Sequence, residues 1–201
     1  MDAPDVIDTL VGVEPGSRLD RIRAERPQAR ENAQASYAAL FMPAEPGGMA
    51  LAERFAVAAF VAGLHEQPAA YAHYTAGLEQ HGNAAITAAV AEAIAAGRTR
   101  GPYGAYPPGP LSAEDRAGPT FAAPPATRDA LGGRLAAALD HAHLLVFRPR
   151  DARPDALQAL LDAGWTTTEV VTLSQLVAFL SFQVRVIAGL SVLAADAGEP
   201  R

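Results

Sequence analysis

One stretch, residues 51–77, sets the strongest limit on how this chain can fold. Its first half is apolar on nearly every side, with charged side chains only at its start. A helix that is hydrophobic all round is buried, so the other elements have to pack around this one. Glycine and proline at residues 63–68 predict a tight break before a second helix. That second helix carries His73 and Tyr74 within a face of small residues.

Apolar side chains recur with the period of an α-helix over most of the remaining sequence. The clearest stripes are Tyr37, Leu40 and Phe41; Ile86, Val90 and Ile94; and Leu131, Leu135, Ala138, Ala142 and Leu145. Spacings of three and four residues place such side chains on one helix face. The last stripe predicts a single helix from residue 127 or 128 to about residue 147. Because no stretch alternates with the period of two typical of a strand, the sequence predicts an all-α fold with seven or eight helices.

Capping residues mark several of the predicted helix ends. Ser17 and Asn83 stand where an N-cap is expected, and Thr168 is the predicted cap of the long final helix. Gly12 and Gly97 occupy positions where a helix C-terminus favours glycine. These signals divide the chain into short helices joined by short connections.

One connection is much longer than the others. Residues 98–127 contain seven prolines with glycines between them, which excludes a long regular element. Loops of this length inside a domain are either functional or disordered. Tyr103, Tyr106 and Phe121 supply aromatic surface for packing. A lid, a clasp around a neighbouring subunit and a simple insertion all stay open as interpretations.

Composition narrows the classes of function. Half of the 201 residues are hydrophobic, enough for a sizeable core, and we divide the chain into an N-terminal helical extension, residues 1–41, and a helical domain, residues 42–196. The formal net charge of −6 gives no basis for nucleic-acid binding. The absence of cysteine excludes disulfides, thiolate metal sites and cysteine nucleophiles. The acidic N-terminus lacks the pattern of a signal peptide, so we expect a cytoplasmic protein.

The apolar segment of residues 170–193 has the length of a membrane span. It also contains Thr172, Gln175, Gln183 and Arg185. A charge in the middle of a span costs about 2.5–3.5 kcal/mol on insertion scales. We therefore expect a helix in a protein core or an oligomer interface and no membrane association.

The same C-terminal region carries a family resemblance. Residues 154–193 read as a short helix ending in AGW, a threonine cap, and a long apolar helix with Phe179, Phe182, Arg185, Gly189 and Leu190. This layout resembles the carboxymuconolactone decarboxylase and alkylhydroperoxidase D-like superfamily, in particular its peroxidase-related branch. The helix, break and histidine of residues 52–74 follow in the order that the family shows.

The resemblance implies an alkylhydroperoxidase D-like helical bundle whose subunits associate, so a homo-oligomer is expected. The family's redox motif has two cysteines three residues apart and a histidine four residues later. If His73 matches that histidine, the cysteine positions hold Glu66 and Ala69, which excludes thiol-based peroxide reduction. The family's glutamate would fall on Arg54, next to Glu53. No cofactor is expected.

Five residues are candidates for a site. His73 is the predicted catalytic acid or base and Glu53 its helper, since an imidazole titrates near neutral pH. Arg185 is the predicted anchor of a substrate carboxylate, and Tyr74 and Glu66 are predicted to bind substrate. Each residue also has a structural interpretation. His73 could be packed at a helix interface, and Glu53 could be an acid favoured in the first turn of a helix. Arg185 could form an ion pair with Glu53 or Asp162, Tyr74 could lie at a helix rim, and Glu66 could be an exposed turn residue. The five histidines do not share a helical face, so no metal site is predicted.

Two functional hypotheses follow. The first is a cofactor-free acid/base enzyme acting on a small organic acid or lactone. The second is a catalytically inactive oligomeric scaffold or small-molecule-binding protein that keeps the fold without the chemistry. The position of His73 relative to a cavity, Glu53 and Arg185 distinguishes them.

Overall fold

The computed structural model describes residues 4–196, which form ten α-helices and no β-strand. The helices are α1 (Val6–Val11), α2 (Arg18–Ala24), α3 (Pro27–Phe41), α4 (Leu51–Leu64), α5 (Pro68–His81), α6 (Ala84–Gly97), α7 (Pro125–Leu131), α8 (Gly133–Phe147), α9 (Pro154–Asp162) and α10 (Thr167–Asp196). Two short 3-10 helices span Pro110–Glu114 and Pro149–Asp151. The predicted all-α class is confirmed, and the described part has more helices than the seven or eight predicted.

Helix α4 lies at the centre, as its all-round apolar sequence predicts. Every residue from Arg54 to Leu64 is buried. It packs against α3, α5, α6, α8 and α10. The predicted break is confirmed: α4 ends at Leu64, and α5 begins at Pro68. Glu66 makes the turn with a φ of 52°, a left-handed conformation that few side chains adopt.

The single helix predicted up to residue 147 is wrong, because the structure has two helices there. Gly132, with φ 76° and ψ 154°, ends α7, and α8 begins at the next residue. These angles lie far from helical values and need the conformational freedom of glycine. Helix α7 also begins earlier than predicted, with Pro125 at its first position. The N–H of that position has no partner within a helix, so proline, which has no N–H, costs no hydrogen bond there.

Three of the predicted caps are confirmed. The Ser17 hydroxyl accepts a hydrogen bond from the Asp20 N–H, and the Asn83 side chain accepts one from the Ile86 N–H. Gly12 ends α1 in the left-handed conformation, with φ 76°.

The cap predicted at Thr168 is wrong, whereas Gly97 does end its helix but without the left-handed conformation of a glycine cap. Helix α10 is capped by Thr166 and not by Thr168, since the Thr166 hydroxyl accepts from the Glu169 N–H and the Glu169 carboxylate accepts from the Thr166 N–H. Gly97 is the last residue of α6 and has no left-handed φ. A Cβ there would lie 3.2 Å from both His143 and Phe121, so glycine is needed for close packing.

The proline-rich loop packs on its own chain, near the end of α8. The Tyr103 N–H donates to the Phe147 carbonyl at 2.6 Å, and the Arg148 guanidinium donates to the Gly118 carbonyl. The Phe121 ring lies 4.7 Å from the His143 ring. The Arg150 guanidinium lies 4.0 Å from the centre of the Tyr106 ring, so all three aromatic residues of the loop make contacts inside the chain.

The N-terminal helices share the core with the rest of the molecule. Ile7 of α1 is fully buried, and α1 contacts α3, α5 and α10. Arg23 lies 2.7 Å from Asp8 and 2.9 Å from Asp5, and Arg30 also pairs with Asp8. These ion pairs join α1 to α2 and α3.

Helix α10 has two different faces. One packs into the core through Leu173, Leu180 and Ile187, which are fully buried, whereas Val171, Phe182 and Val192 are exposed. In the described part, Thr167–Ala195 is the one helix that meets the length and composition of a membrane span. Self-association through the exposed face stays a prediction, to be decided by sedimentation velocity.

Candidate functional site

Glu53 is held in a structural network at the start of α4. Its carboxylate accepts from the Ala50 N–H at 2.9 Å and from Arg134 Nε at 2.7 Å. Arg134 also pairs with Glu169 at 3.3 Å and stacks over the Trp165 ring at 4.0 Å. Through these two ion pairs, Arg134 of α8 joins the start of α4 to the start of α10.

His73 lies in a different environment on α5. Its Nε2 shares a hydrogen bond of 2.9 Å with the Tyr37 hydroxyl, and the Tyr74 ring packs edge-on against it at 5.1 Å. Burial lowers the pKa of His73 and raises the pKa of Tyr37. The imidazole is thus neutral near pH 7, with one nitrogen bonded to a phenol.

The structure does not bring Glu53 and His73 together. Helices α4 and α5 form a hairpin in which Phe55, at the start of α4, stacks on His81, at the end of α5, at 5.2 Å. His73 is eight residues earlier on α5, about 12 Å along the helix axis. Glu53 therefore belongs to the far end of the hairpin from the break, and the predicted helper contact is absent among the described residues.

Arg54, the residue after Glu53 on α4, is a buried structural residue. Its guanidinium donates to the carbonyls of Leu40 at 2.7 Å, Pro46 at 2.6 Å, Met49 at 3.0 Å and Ala39 at 3.4 Å. It thereby fixes the connection between α3 and α4. A group saturated with carbonyl acceptors is unsuited to relaying protons.

Tyr74 is a core residue and not the helix-rim residue of the structural interpretation. It is fully buried, and its hydroxyl donates to Oε1 of Gln183, which is itself fully buried on α10. Burial raises the pKa of Tyr74 far above its ordinary value. Glu66 is the opposite case: its side chain is 70% exposed, and its nearest cation, Arg98 Nη1, lies 3.9 Å away.

Arg185 is exposed on α10, so the expected buried ion pair with Glu53 or Asp162 is wrong. The error has a physical reason: the core face of α10 turns toward Val184 and Ile187, which leaves Arg185 on the outer side. Among the described residues, its hydrogen-bond partner is the Ser181 carbonyl, at 2.6 Å. Its positive charge is therefore not neutralised by a carboxylate within the described chain.

Arg185 shares a cavity with His65, the residue that follows the last residue of α4. This cavity, which we name the α10 cleft, has a volume of about 660 Å³. Its lining residues are His65, Gly101, Pro102, Leu145, Val146, Phe147, Pro149, Ser174, Val177, Ala178, Ser181 and Arg185. Most of this wall is apolar, so Arg185 and His65 are the groups able to bind charge or move a proton.

His65 has a ring nitrogen that the fold does not use. Its Nε2 is buried and has no hydrogen-bond partner among the described residues. Burial lowers the pKa of His65, and the positive charge of Arg185 lowers it further. The imidazole is therefore neutral near pH 7, with its Nε2 unused by the fold.

A second cavity lies between α8, α9 and the end of the proline-rich loop. We name it the α8 cavity; its volume is about 620 Å³. His141 and Ala137 of α8, Ala159 and Leu160 of α9 and Phe121 of the loop are in its wall. His73 lines neither this cavity nor the α10 cleft.

Sequence reasoning missed the pairing of His65 with Arg185. The only signal was a histidine at the helix break, 120 residues before Arg185. It also missed Arg134 and His141, which belong to a helix whose apolar stripe showed only the core-facing side. Such long-range neighbours leave no trace in local spacing.

Two buried and two half-buried histidines predict loss of stability in mild acid. Burial lowers the pKa of His65, His73, His141 and His143 in the folded state. Below about pH 6.5 the unfolded chain binds protons that the folded chain does not. The free energy of unfolding therefore decreases as the pH is lowered. Each histidine that stays neutral contributes up to about 1.4 kcal/mol per pH unit.

Urea unfolding at pH 7.5, 6.5 and 5.5 measures this loss. We expect the midpoint concentration to fall between pH 7.5 and 6.5 and to fall more steeply between pH 6.5 and 5.5, with a constant denaturant slope. The window lies above the range in which carboxylates with lowered pKa, such as Glu169, take up protons. A midpoint that is the same at pH 7.5 and 5.5 contradicts the prediction.

Comparison with protein-family models, with curated proteins and with solved structures found no match to this chain.

Proposed function

We propose that the chain binds a small organic acid, or a lactone that carries a carboxylate, in the α10 cleft. It acts on this substrate by proton transfer without a cofactor. The observation that carries the proposal is the presence of Arg185, which has no carboxylate partner within the described chain, and the imidazole of His65 in the wall of one largely apolar cavity. In this proposal the acid/base residue is His65, in place of His73. Arg185 keeps the role of carboxylate anchor.

Charge and geometry support these two roles. A guanidinium binds a carboxylate through two parallel hydrogen bonds, and Arg185 has no carboxylate partner within the described chain. A bound carboxylate would cancel part of the positive charge that lowers the pKa of His65. His65 then becomes a stronger base when substrate is present, which suits removal of a proton from a carbon next to a carbonyl.

The family resemblance is also part of the proposal. The hairpin of α4 and α5, with its break before Pro68, has the order of elements that the resemblance implies. Arg54 departs from the family's pattern, because it is used for packing. A carboxymuconolactone decarboxylase-like protein that lacks both thiols and the acid relay needs a different proton-transfer group, and His65 supplies one.

Binding is tested with a carboxymethyl butenolide and its methyl ester as probes. We expect Arg185→Met to weaken binding of the acid by about 10- to 100-fold, the value of a charge-assisted hydrogen bond, and to leave the ester unchanged. Arg98→Met is the matched control, since Arg98 is exposed and lies outside the α10 cleft. Isothermal titration calorimetry gives the affinities. Equal loss for acid and ester argues against the anchor.

Proton transfer is tested with the but-3-enolide isomer of the probe, by NMR detection in D₂O of exchange of the ring CH₂ hydrogens next to the carbonyl. We expect His65→Gln to abolish enzyme-catalysed exchange while the acid still binds. His81→Gln is the control, because His81 is an exposed histidine at the other end of the α4–α5 hairpin. Exchange that survives in His65→Gln refutes the base. Binding without exchange in the native protein favours the second function, a small-molecule-binding protein without chemistry.

A further inference from the structure

The α8 cavity contains a buried histidine that the fold leaves unsatisfied. His141 is only 5% exposed, and its Nδ1 has no hydrogen-bond partner among the described residues. His143, two residues later, is satisfied, because its Nε2 donates to the Gly97 carbonyl at 2.9 Å. Because Nδ1 is closed off from water, a ligand in the adjoining cavity reaches the imidazole through Nε2, which also has no hydrogen-bond partner among the described residues.

The wall around His141 is wide and apolar. Alanines at positions 137, 156, 159 and 163 leave room between α8 and α9, and Leu144, Leu160 and Phe121 complete the lining. The volume of about 620 Å³ is within the range of small-molecule sites. A ligand here is therefore held mainly by apolar contact.

The charges at the rim disfavour an anion. Each arginine in the wall is already bonded to carboxylates: Arg128 to Asp140, Arg134 to Glu53 and Glu169, and Arg148 to Asp151. Asp162 also lines the cavity, so three guanidinium groups face five carboxylates. Unlike the α10 cleft, this cavity has no uncompensated positive charge for an acid.

We propose that the α8 cavity is a second binding site, for a neutral and largely apolar small molecule that hydrogen-bonds His141 through one hydroxyl group. The apolar body of the ligand fills the space between α8, α9 and Phe121. The hydroxyl satisfies the imidazole, which can donate or accept when it is neutral. This site is separate from the α10 cleft and does not depend on the chemistry proposed there.

Three probes of matched shape test the proposal: 2-naphthol, 2-methylnaphthalene and 2-naphthoate. We expect 2-naphthol to bind about fivefold more tightly than 2-methylnaphthalene, the value of one neutral hydrogen bond, and to shift the His141 ring nitrogen signals in NMR spectra. 2-Naphthoate should leave those signals unchanged. Equal affinities of the two neutral probes, or a shift of the His141 signals by 2-naphthoate, would overturn the proposal.

Variants locate the site. His141→Leu should reduce the preference for 2-naphthol to about one, whereas His81→Leu should keep it. Ala159→Phe fills the cavity from the exposed side of α9 and should weaken both neutral probes at least about tenfold. Arg185→Met should leave 2-naphthol binding unchanged. If His141→Leu does not fold, the Ala159→Phe variant and the His141 NMR signals of the native protein still test the site. Binding of 2-naphthol that persists in Ala159→Phe refutes the site.

Discussion

Replacing Arg54 by alanine is expected to lower the free energy of unfolding by about 3–5 kcal/mol. The guanidinium is buried, and its hydrogen bonds go to four backbone carbonyls, two in the last turn of α3 and two in the connection to α4. Alanine leaves these carbonyl oxygens without donors, and each unsatisfied buried group costs about 1–3 kcal/mol where water cannot reach it. Urea unfolding followed by circular dichroism at 222 nm measures the loss.

Two further substitutions make this prediction specific. Arg54→Glu places a carboxylate among carbonyl oxygens, so it should be more destabilising than alanine. Arg98→Ala is the matched control: its guanidinium is exposed and 3.9 Å from Glu66, so we expect a change within about 0.5 kcal/mol. Similar losses for Arg54→Ala and Arg98→Ala would contradict the assigned role.

The parts of the fold that depend on residues close together in the sequence were predictable from it. The burial of α4, the break before Pro68 and the caps at Ser17 and Asn83 follow from local spacing and local backbone chemistry. The separation of α7 from α8 was missed because apolar spacing continues across Gly132, while the break depends on one backbone conformation. Two adjacent glycines were the available signal.

The candidate site was less predictable, because it depends on how helices turn toward one another. Tyr74 and Gln183 are bonded although 109 residues separate them. Periodicity shows that α10 has an apolar face but not which polar residues lie outside it, and this is why Arg185 was expected inside. His73 and Glu53 are close in sequence, yet each is bonded to a helix outside the hairpin, Tyr37 of α3 and Arg134 of α8.

Replacing Gly77 by alanine is expected to destabilise the protein by about 2 kcal/mol, although alanine is the better helix former. A Cβ at this position would lie 2.2 Å from the Phe55 ring. That ring cannot withdraw easily, because Phe41 packs against it at 5.0 Å and His81 stacks on it at 5.2 Å. Overpacking costs about 1–3 kcal/mol, and a rigid neighbour such as this ring places the cost near the upper end of that range. The cost therefore outweighs the gain in helix propensity, which is about 1 kcal/mol.

Gly189 of α10 provides the matched control. It is also a helical glycine, but a Cβ there meets no atom within 4 Å. Gly189→Ala should therefore stabilise the protein by about 0.5–1 kcal/mol, through the propensity of alanine and the smaller entropy of the unfolded chain. The unfolded-state effect is common to both substitutions, so the difference between them, about 3 kcal/mol, isolates the packing of Gly77 against Phe55. Thermal and urea unfolding at low protein concentration measure both variants. If the two changes have the same sign, the hairpin of α4 and α5 is packed less closely than the structure indicates.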